Sequence, residues 1–101
     1  MSVSGGELRA FLAAESEGEL LFADGLDDGL VGMAAGWFTG GHREVALYDY
    51  AACMRVLMAE GMDETEATEY LEFNVLGAWV GDGTPAFATL YRAPALEPLT
   101  S

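Results

Sequence analysis

Residues 63–87, DETEATEYLEFNVLGAWVGDGTPAF, constrain the fold more than any other part of the chain. Asp63 and Glu66 have the spacing of a reciprocal capping box, and Glu64 and Glu66 suit the positive end of a helix dipole. A helix is therefore expected to start sharply at Asp63 and to stop at the glycine-rich turn GDGTP, residues 81–85. It carries two apolar stripes. Ala67, Tyr70, Leu71, Asn74, Val75 and Ala78 form one; Phe73, Leu76 and Val80 lie roughly opposite, in line with Glu69. A helix that becomes apolar almost all round is expected to be sandwiched between layers or to meet a partner. Asn74 stands inside the first stripe. A buried amide must find hydrogen-bond partners, so Asn74 is expected to bond nearby backbone and fix the fold.

Upstream, Ser4 and Glu7 have capping spacing ahead of Leu8, Phe11 and Leu12, which predicts a helix over residues 5–15. Residues 19–23 read as a brief strand, and DGLDDG, residues 24–29, as a loop. The unbroken apolar run LVGMAAGWF, residues 30–38, fits a buried central strand. TGGH then turns the chain into a half-buried strand over residues 44–48, with Val45 and Leu47 on one face. Asp49 caps a helix whose Tyr50, Cys53, Met54, Leu57 and Met58 share a face, and Gly61 ends it. Residues 86–91 predict a last strand. The expected fold is α+β, a small antiparallel sheet of three or four strands packed by two or three helices. Residues 1–93 form one acidic domain, and residues 94–101 a loose, proline-punctuated tail.

The chain has 101 residues, enough for a single modest core. No lysine occurs, and four arginines face seventeen carboxylates, for a net charge of −13. Such a surface repels nucleic acid and anionic membranes and suits a basic partner or a cation. A salt-adapted or GC-rich source explains acidity equally well. Cys53 is the only cysteine, so no intrachain disulfide is expected and a reducing, cytoplasmic setting fits. Neither a signal peptide nor a membrane span is legible.

The candidate chemistry is sparse. Asp24, Asp27 and Asp28 invite a calcium reading, but the EF-hand spacing is not met, and a solvated acidic turn is the better account. Glu69, Glu72, Asn74 and Asp82, with Asp49, are carboxylates and an amide that a divalent ion would use if they converged. However, Asn74 points away from Glu69 and Glu72, so a second element would be needed. His42 is the sole histidine, a poor basis for zinc. Neither a nucleophile elbow nor a phosphate-binding glycine loop is present. No catalytic residue, metal or cofactor is assigned. The aromatic residues Trp37, Phe38, Trp79, Tyr48, Tyr50 and Tyr70 belong to the core by default; an exposed Trp37, Phe38 or Phe73 would instead be an interface anchor.

The stretch YDYAACMRVLMAEGMDETEATEYLEFNVLGAWVGDGTPAF, with ADGLDDGLVG upstream, resembles a family of small uncharacterised bacterial and phage-borne proteins. Their shared pattern is YDY, a short helix ending near Gly-Met, then EY-x-EFNV-x-GAWVG and TP-x-F. By position the resemblance picks out Asp27, Asp28, Tyr48, Asp49, Tyr50, Glu69, Tyr70, Glu72, Phe73, Asn74, Gly77, Trp79, Gly81, Thr84 and Pro85. It covers residues 23–87, and it implies a setting rather than a chemistry.

The leading expectation is a non-enzymatic acidic protein that docks on a basic partner surface, such as the nucleic-acid channel of a host enzyme. Its contacts would be Glu15, Glu17, Glu19, Asp24, Asp27 and Asp28, together with Glu60, Asp63, Glu64, Glu66 and Glu69. Carboxylates spaced along a surface imitate phosphates. By analogy with the phage setting, this includes inhibitors of host defence such as anti-CRISPR proteins and nucleic-acid mimics. One alternative is a small metal- or ligand-binding domain, catalytic or not, around Glu72, Asn74 and Asp82. Another is a homodimer with its seam at Phe73, Leu76 and Val80.

Overall fold

The structure is a computed structural model that describes residues 4–38, 41–75, 83–92 and 97–98. It has the expected α+β class, a three-stranded sheet packed with three helices. Helix α1 spans Gly5–Glu15; the Ser4 hydroxyl accepts the Glu7 N–H at 3.1 Å and donates to the Glu7 carboxylate. Leu12 is buried in the core, while Phe11 is exposed. At its end Glu17 takes a left-handed conformation with φ 56°, uncommon for a side chain with a Cβ. Gly18 follows at φ 80° and donates its N–H back to the Ala13 carbonyl.

Residues 19–23 form no strand. Ser16 holds the start of this segment, accepting the Glu19 and Leu20 N–H groups, and Tyr48 holds its end: the Tyr48 hydroxyl accepts the Ala23 N–H at 2.8 Å and donates to the Ala23 carbonyl at 3.5 Å. A tyrosine side chain thus does what a ladder partner was expected to do. Asp27–Gly29 make a single 3-10 turn. This turn packs between α1 and the next helix so closely that a Cβ on Gly5 would strike the Asp27 carbonyl.

Strands β1 (Leu30–Phe38) and β2 (Gly41–Asp49) pair antiparallel from Leu30↔Tyr48 to Phe38↔Gly41. The sheet order is β1-β2-β3, so β1 is an edge strand rather than the buried central strand its composition suggests. The reason is local. From Val31 onward the half-buried positions are Gly32, Ala34 and Gly36, whereas Val31, Met33, Ala35 and Trp37 are exposed. The central strand is β2, where Val45, Ala46, Tyr48 and Asp49 are all buried. A bulge between Leu30 and Gly32 shifts the alternation. Leu30 consequently stands on the same side of the ladder as the exposed Met33, Ala35 and Trp37, opposite Tyr48, Ala46, Glu44 and His42.

Helix α2 (Tyr50–Ala59) is capped by Asp49, whose carboxylate accepts the Ala51 N–H at 3.0 Å. Its buried face centres on Ala52, Cys53 and Leu57; Met58, expected on that face, is exposed. Asp63 and Glu66 form the expected reciprocal capping box at the start of α3 (Glu64–Glu69). The expected long helix is not continued as α-helix. The chain passes at Tyr70–Val75 into a π-helical turn, whose wider i→i+5 bonding departs from a 3.6-residue repeat. Ala67 and Leu71 are buried, while Tyr70 is exposed.

β3 (Ala86–Ala88) pairs parallel to β2, so the sheet is mixed. The intervening helices supply the crossover that parallel pairing requires. The expected strand over residues 86–91 divides: β3 joins the sheet, and β4 (Tyr91–Arg92) pairs antiparallel with β5 (Glu97–Pro98). The core joins Leu12, Leu20, Leu26, Leu30, Ala46, Tyr48, Cys53, Leu57, Ala67 and Leu71. Tyr48 lies at its centre, fully buried and stacked on Phe87 with ring centroids 5.1 Å apart. None of the described residues forms a helix long and apolar enough to cross a membrane.

Candidate functional site

The expected contact residues fall into three neighbourhoods. In the first, Arg9 on α1 reaches over the acidic loop and donates to Asp24 and Asp27, both at 2.9 Å. Its guanidinium also lies 5.0 Å from the centre of the Phe22 ring. These two hydrogen bonds raise the Arg9 pKa further, so it stays charged. Two of the three aspartates that invite a calcium reading are therefore engaged by a cation of the same chain. Spacing alone does not reveal this pairing, because fifteen residues separate Arg9 from Asp24 and eighteen separate it from Asp27.

In the second neighbourhood, Asp28 and Glu60 line one hollow of about 430 Å³ together with Arg55 and Val56. Here the two acid-rich segments meet. Asp63, Glu64, Glu66 and Glu69 continue along α3 as exposed side chains. Glu66 and Glu69 border a further hollow of about 350 Å³ with Met62, Tyr70 and Phe73. Phe73 is 77 % exposed.

In the third, Glu15, Glu17 and Glu19 surround a hollow of about 650 Å³ between the end of α1 and the hairpin end of the sheet. Glu44 completes the acidic rim, and Met33 and Leu20 supply apolar lining. His42 and Arg43 also border it; the His42 ring meets Trp37 edge-on, with centroids 5.2 Å apart. Sequence reasoning did not assemble this hollow, because its walls come from segments some 25 residues apart. The exposure of Trp37 had a period-two signal in the small residues at 32, 34 and 36.

The metal- or ligand-binding alternative is only partly within view. Glu72 is exposed and accepts the Tyr50 hydroxyl at 3.3 Å. Burial and the neighbouring Glu72 charge both raise the Tyr50 pKa. Asp82 lies outside the described residues, as does the side chain of Asn74, and Leu76 and Val80 of the expected seam do too. Among the described residues no group of three or more His, Cys, Asp or Glu side chains is placed to hold a metal ion. Cys53 is fully buried. Burial, reinforced by the Asp49 charge, pushes its thiol up to about 12, so at neutral pH it is a core side chain rather than a nucleophile.

No protein-family model, curated protein sequence or solved structure matches this chain. Any functional reading therefore rests on the residues themselves.

Proposed function

We propose that this chain is a non-enzymatic acidic binding protein that docks on a basic surface of a partner protein. One observation carries the reading: Glu15, Glu17, Glu19, Glu60, Asp63, Glu64, Glu66 and Glu69 all present exposed side chains on a chain of net charge −13. A field of this kind accelerates encounter with a basic patch and rejects acidic ones. The buried, protonated thiol supports a role without nucleophilic catalysis. The resemblance of residues 23–87 to phage-borne proteins makes a cytoplasmic inhibitor of host defence the natural member of this class, as an anti-CRISPR protein or a nucleic-acid mimic.

The test is affinity capture from bacterial lysate at low and high salt, beside a variant with Glu15, Glu17, Glu19, Glu60, Glu64, Glu66 and Glu69 changed to glutamine. A basic nucleic-acid-binding protein should be held at low salt, lost at high salt and weakened by the variant. Absence of a specific partner at either salt refutes the reading. Self-association is a second, compatible reading that the exposed Phe73 favours. Sedimentation should then show a dimer that Phe73→Glu dissociates; a monomer at all concentrations removes it.

A further inference from the structure

Among the described residues, no strand pairs with the outer edge of β1. Soluble proteins usually protect an edge strand with lysine, proline or inward-pointing charge, because its free N–H and C=O groups template another strand. Leu30–Phe38 contains no charged residue and no proline across nine positions. At about 3.4 Å per residue it offers roughly 30 Å of edge. Among the described residues it pairs only with β2. Trp37 is 82 % exposed and Val31 47 %. For a ring system of about 250 Å², that leaves roughly 200 Å² of tryptophan in water.

Charge selects the occupant. Met33, Ala35 and Trp37 share one face with Glu44 and His42 across the β1–β2 ladder. That face opens at the hairpin end into the hollow rimmed by Glu15, Glu17, Glu19 and Glu44, with Arg43 as the cation among its lining residues. Alternate residues of a strand added to β1 would share this face. A second copy fits poorly. Antiparallel self-pairing would set the Asp27–Asp28 end of one strand beside the Glu44 end of the other, like charge against like.

We infer that the β1 edge is a docking site for an extended basic segment of a partner protein, added as an outer strand. Its alternate arginine or lysine side chains lie over Met33 and Trp37, with their heads among Glu15, Glu17, Glu19 and Glu44. Their aliphatic stems suit the apolar lining, and the Trp37 face suits a guanidinium. This rests on the proposed binding of a basic partner and assigns it a place and a backbone geometry.

The probe is a capped nine-residue peptide alternating arginine and valine. Its control has the same residues with two central valines replaced by proline, which keeps the charge and blocks strand pairing. Binding is measured by calorimetry and located by amide hydrogen exchange. The alternating peptide should protect β1 amides and bind at least tenfold more tightly than the proline control. Trp37→Ser, at a position exposed enough to leave the fold intact, should weaken it about tenfold; Glu64→Gln with Glu66→Gln should have little effect. Equal binding of the proline control, or protection along α3 instead of β1, overturns the edge inference and leaves the basic-partner reading standing. Protection of β1 in a peptide-free dimer at 0.15 M salt, where the carboxylates are least screened, overturns it in favour of a second copy. Failure of the peptide to bind overturns it too, and the lysate capture then decides separately whether the broader reading survives.

Discussion

Gly29→Ala tests the packing that joins the acidic loop to α2. Gly29 is buried in the 3-10 turn, and its φ is not among the left-handed ones, so the backbone itself accepts alanine. The obstacle is Cys53. A Cβ on Gly29 would collide with the Cys53 Sγ, and would lie 3.2 Å from the Cys53 amide nitrogen and 3.4 Å from its Cα. Cys53 is itself fully buried, so the sulfur cannot swing out into solvent. Overpacking of this kind costs about 1–3 kcal/mol. Alanine returns about 0.4–1 kcal/mol by restricting the unfolded chain. Taken at the middle of both ranges, the net loss should be about 1.3 kcal/mol, which for a domain of this size lowers the melting temperature by roughly 5–10 °C. Urea unfolding followed by far-UV circular dichroism measures it. Combining the change with Cys53→Ala removes the sulfur and should recover at least about 0.5 kcal/mol relative to the sum of the single changes. Recovery should be incomplete, because the Cys53 backbone stays in place. A neutral Gly29→Ala, or strict additivity with Cys53→Ala, refutes the reasoning.

Two further outcomes follow from buried groups. Tyr48→Phe removes the hydroxyl that accepts the Ala23 N–H at 2.8 Å; stability should fall by about 1–2 kcal/mol, and the Ala23 amide should exchange faster, whereas unchanged exchange there would contradict the role given to Tyr48. The Cys53 thiol titrates near its ordinary value when unfolded and only at about 12 when folded, so between roughly pH 9 and 12 the unfolded chain has lost a proton that the folded chain keeps: the contribution is full below pH 9 and is lost as pH rises, at up to about 1.4 kcal/mol per unit, and Cys53→Ala should flatten this slope in urea titrations at pH 8 to 10.5, although Tyr48 and Tyr50 shift in the same direction and leave a residual one.

What was legible in the sequence was chiefly local. The Ser4, Asp49 and Asp63 caps lie where side-chain oxygens and nearby N–H groups are a few residues apart, so spacing alone reveals them. The hairpin followed from two apolar segments about a glycine pair. Long-range choices were not legible. An unbroken apolar run does not say whether a strand is central or at an edge, and the answer at β1 depended on small residues occupying the covered positions. Nor does a helical stripe announce a π-helical turn, which at Tyr70–Val75 replaces the expected α-helix. Residues 19–23 resembled a strand, yet their backbone groups bond to Ser16 at one end and, at Ala23, to the Tyr48 side chain 25 residues on. Of the candidate site, the individual carboxylates were visible. Arg9 bridging Asp24 and Asp27, and Glu44 joining Glu15, Glu17 and Glu19 around one hollow, required the fold.

The distribution of those carboxylates bears on whether acidity is merely a property of the source. Several serve the fold: Asp24 and Asp27 hold Arg9, Asp49 caps α2, and Asp63 and Glu66 cap α3. Glu15, Glu17, Glu19 and Glu44 instead gather beside an uncharged, partly apolar edge. There, one set of charges acts in two opposite ways. It opposes pairing between two copies, which suppresses edge-to-edge aggregation, and it attracts a basic strand to the same edge. Both effects are electrostatic at an exposed surface, so both are screened: the Debye length falls from about 8 Å at 0.15 M salt to about 3 Å at 1 M. Raising salt should therefore weaken the arginine–valine peptide and, at the same concentrations, strengthen self-association through β1. Sedimentation at 0.15 M and 1 M salt, with wild type beside Trp37→Ser, reads the second effect. Acidity that serves only solubility predicts no dependence of either equilibrium on Trp37, and that result would remove the functional account of the edge.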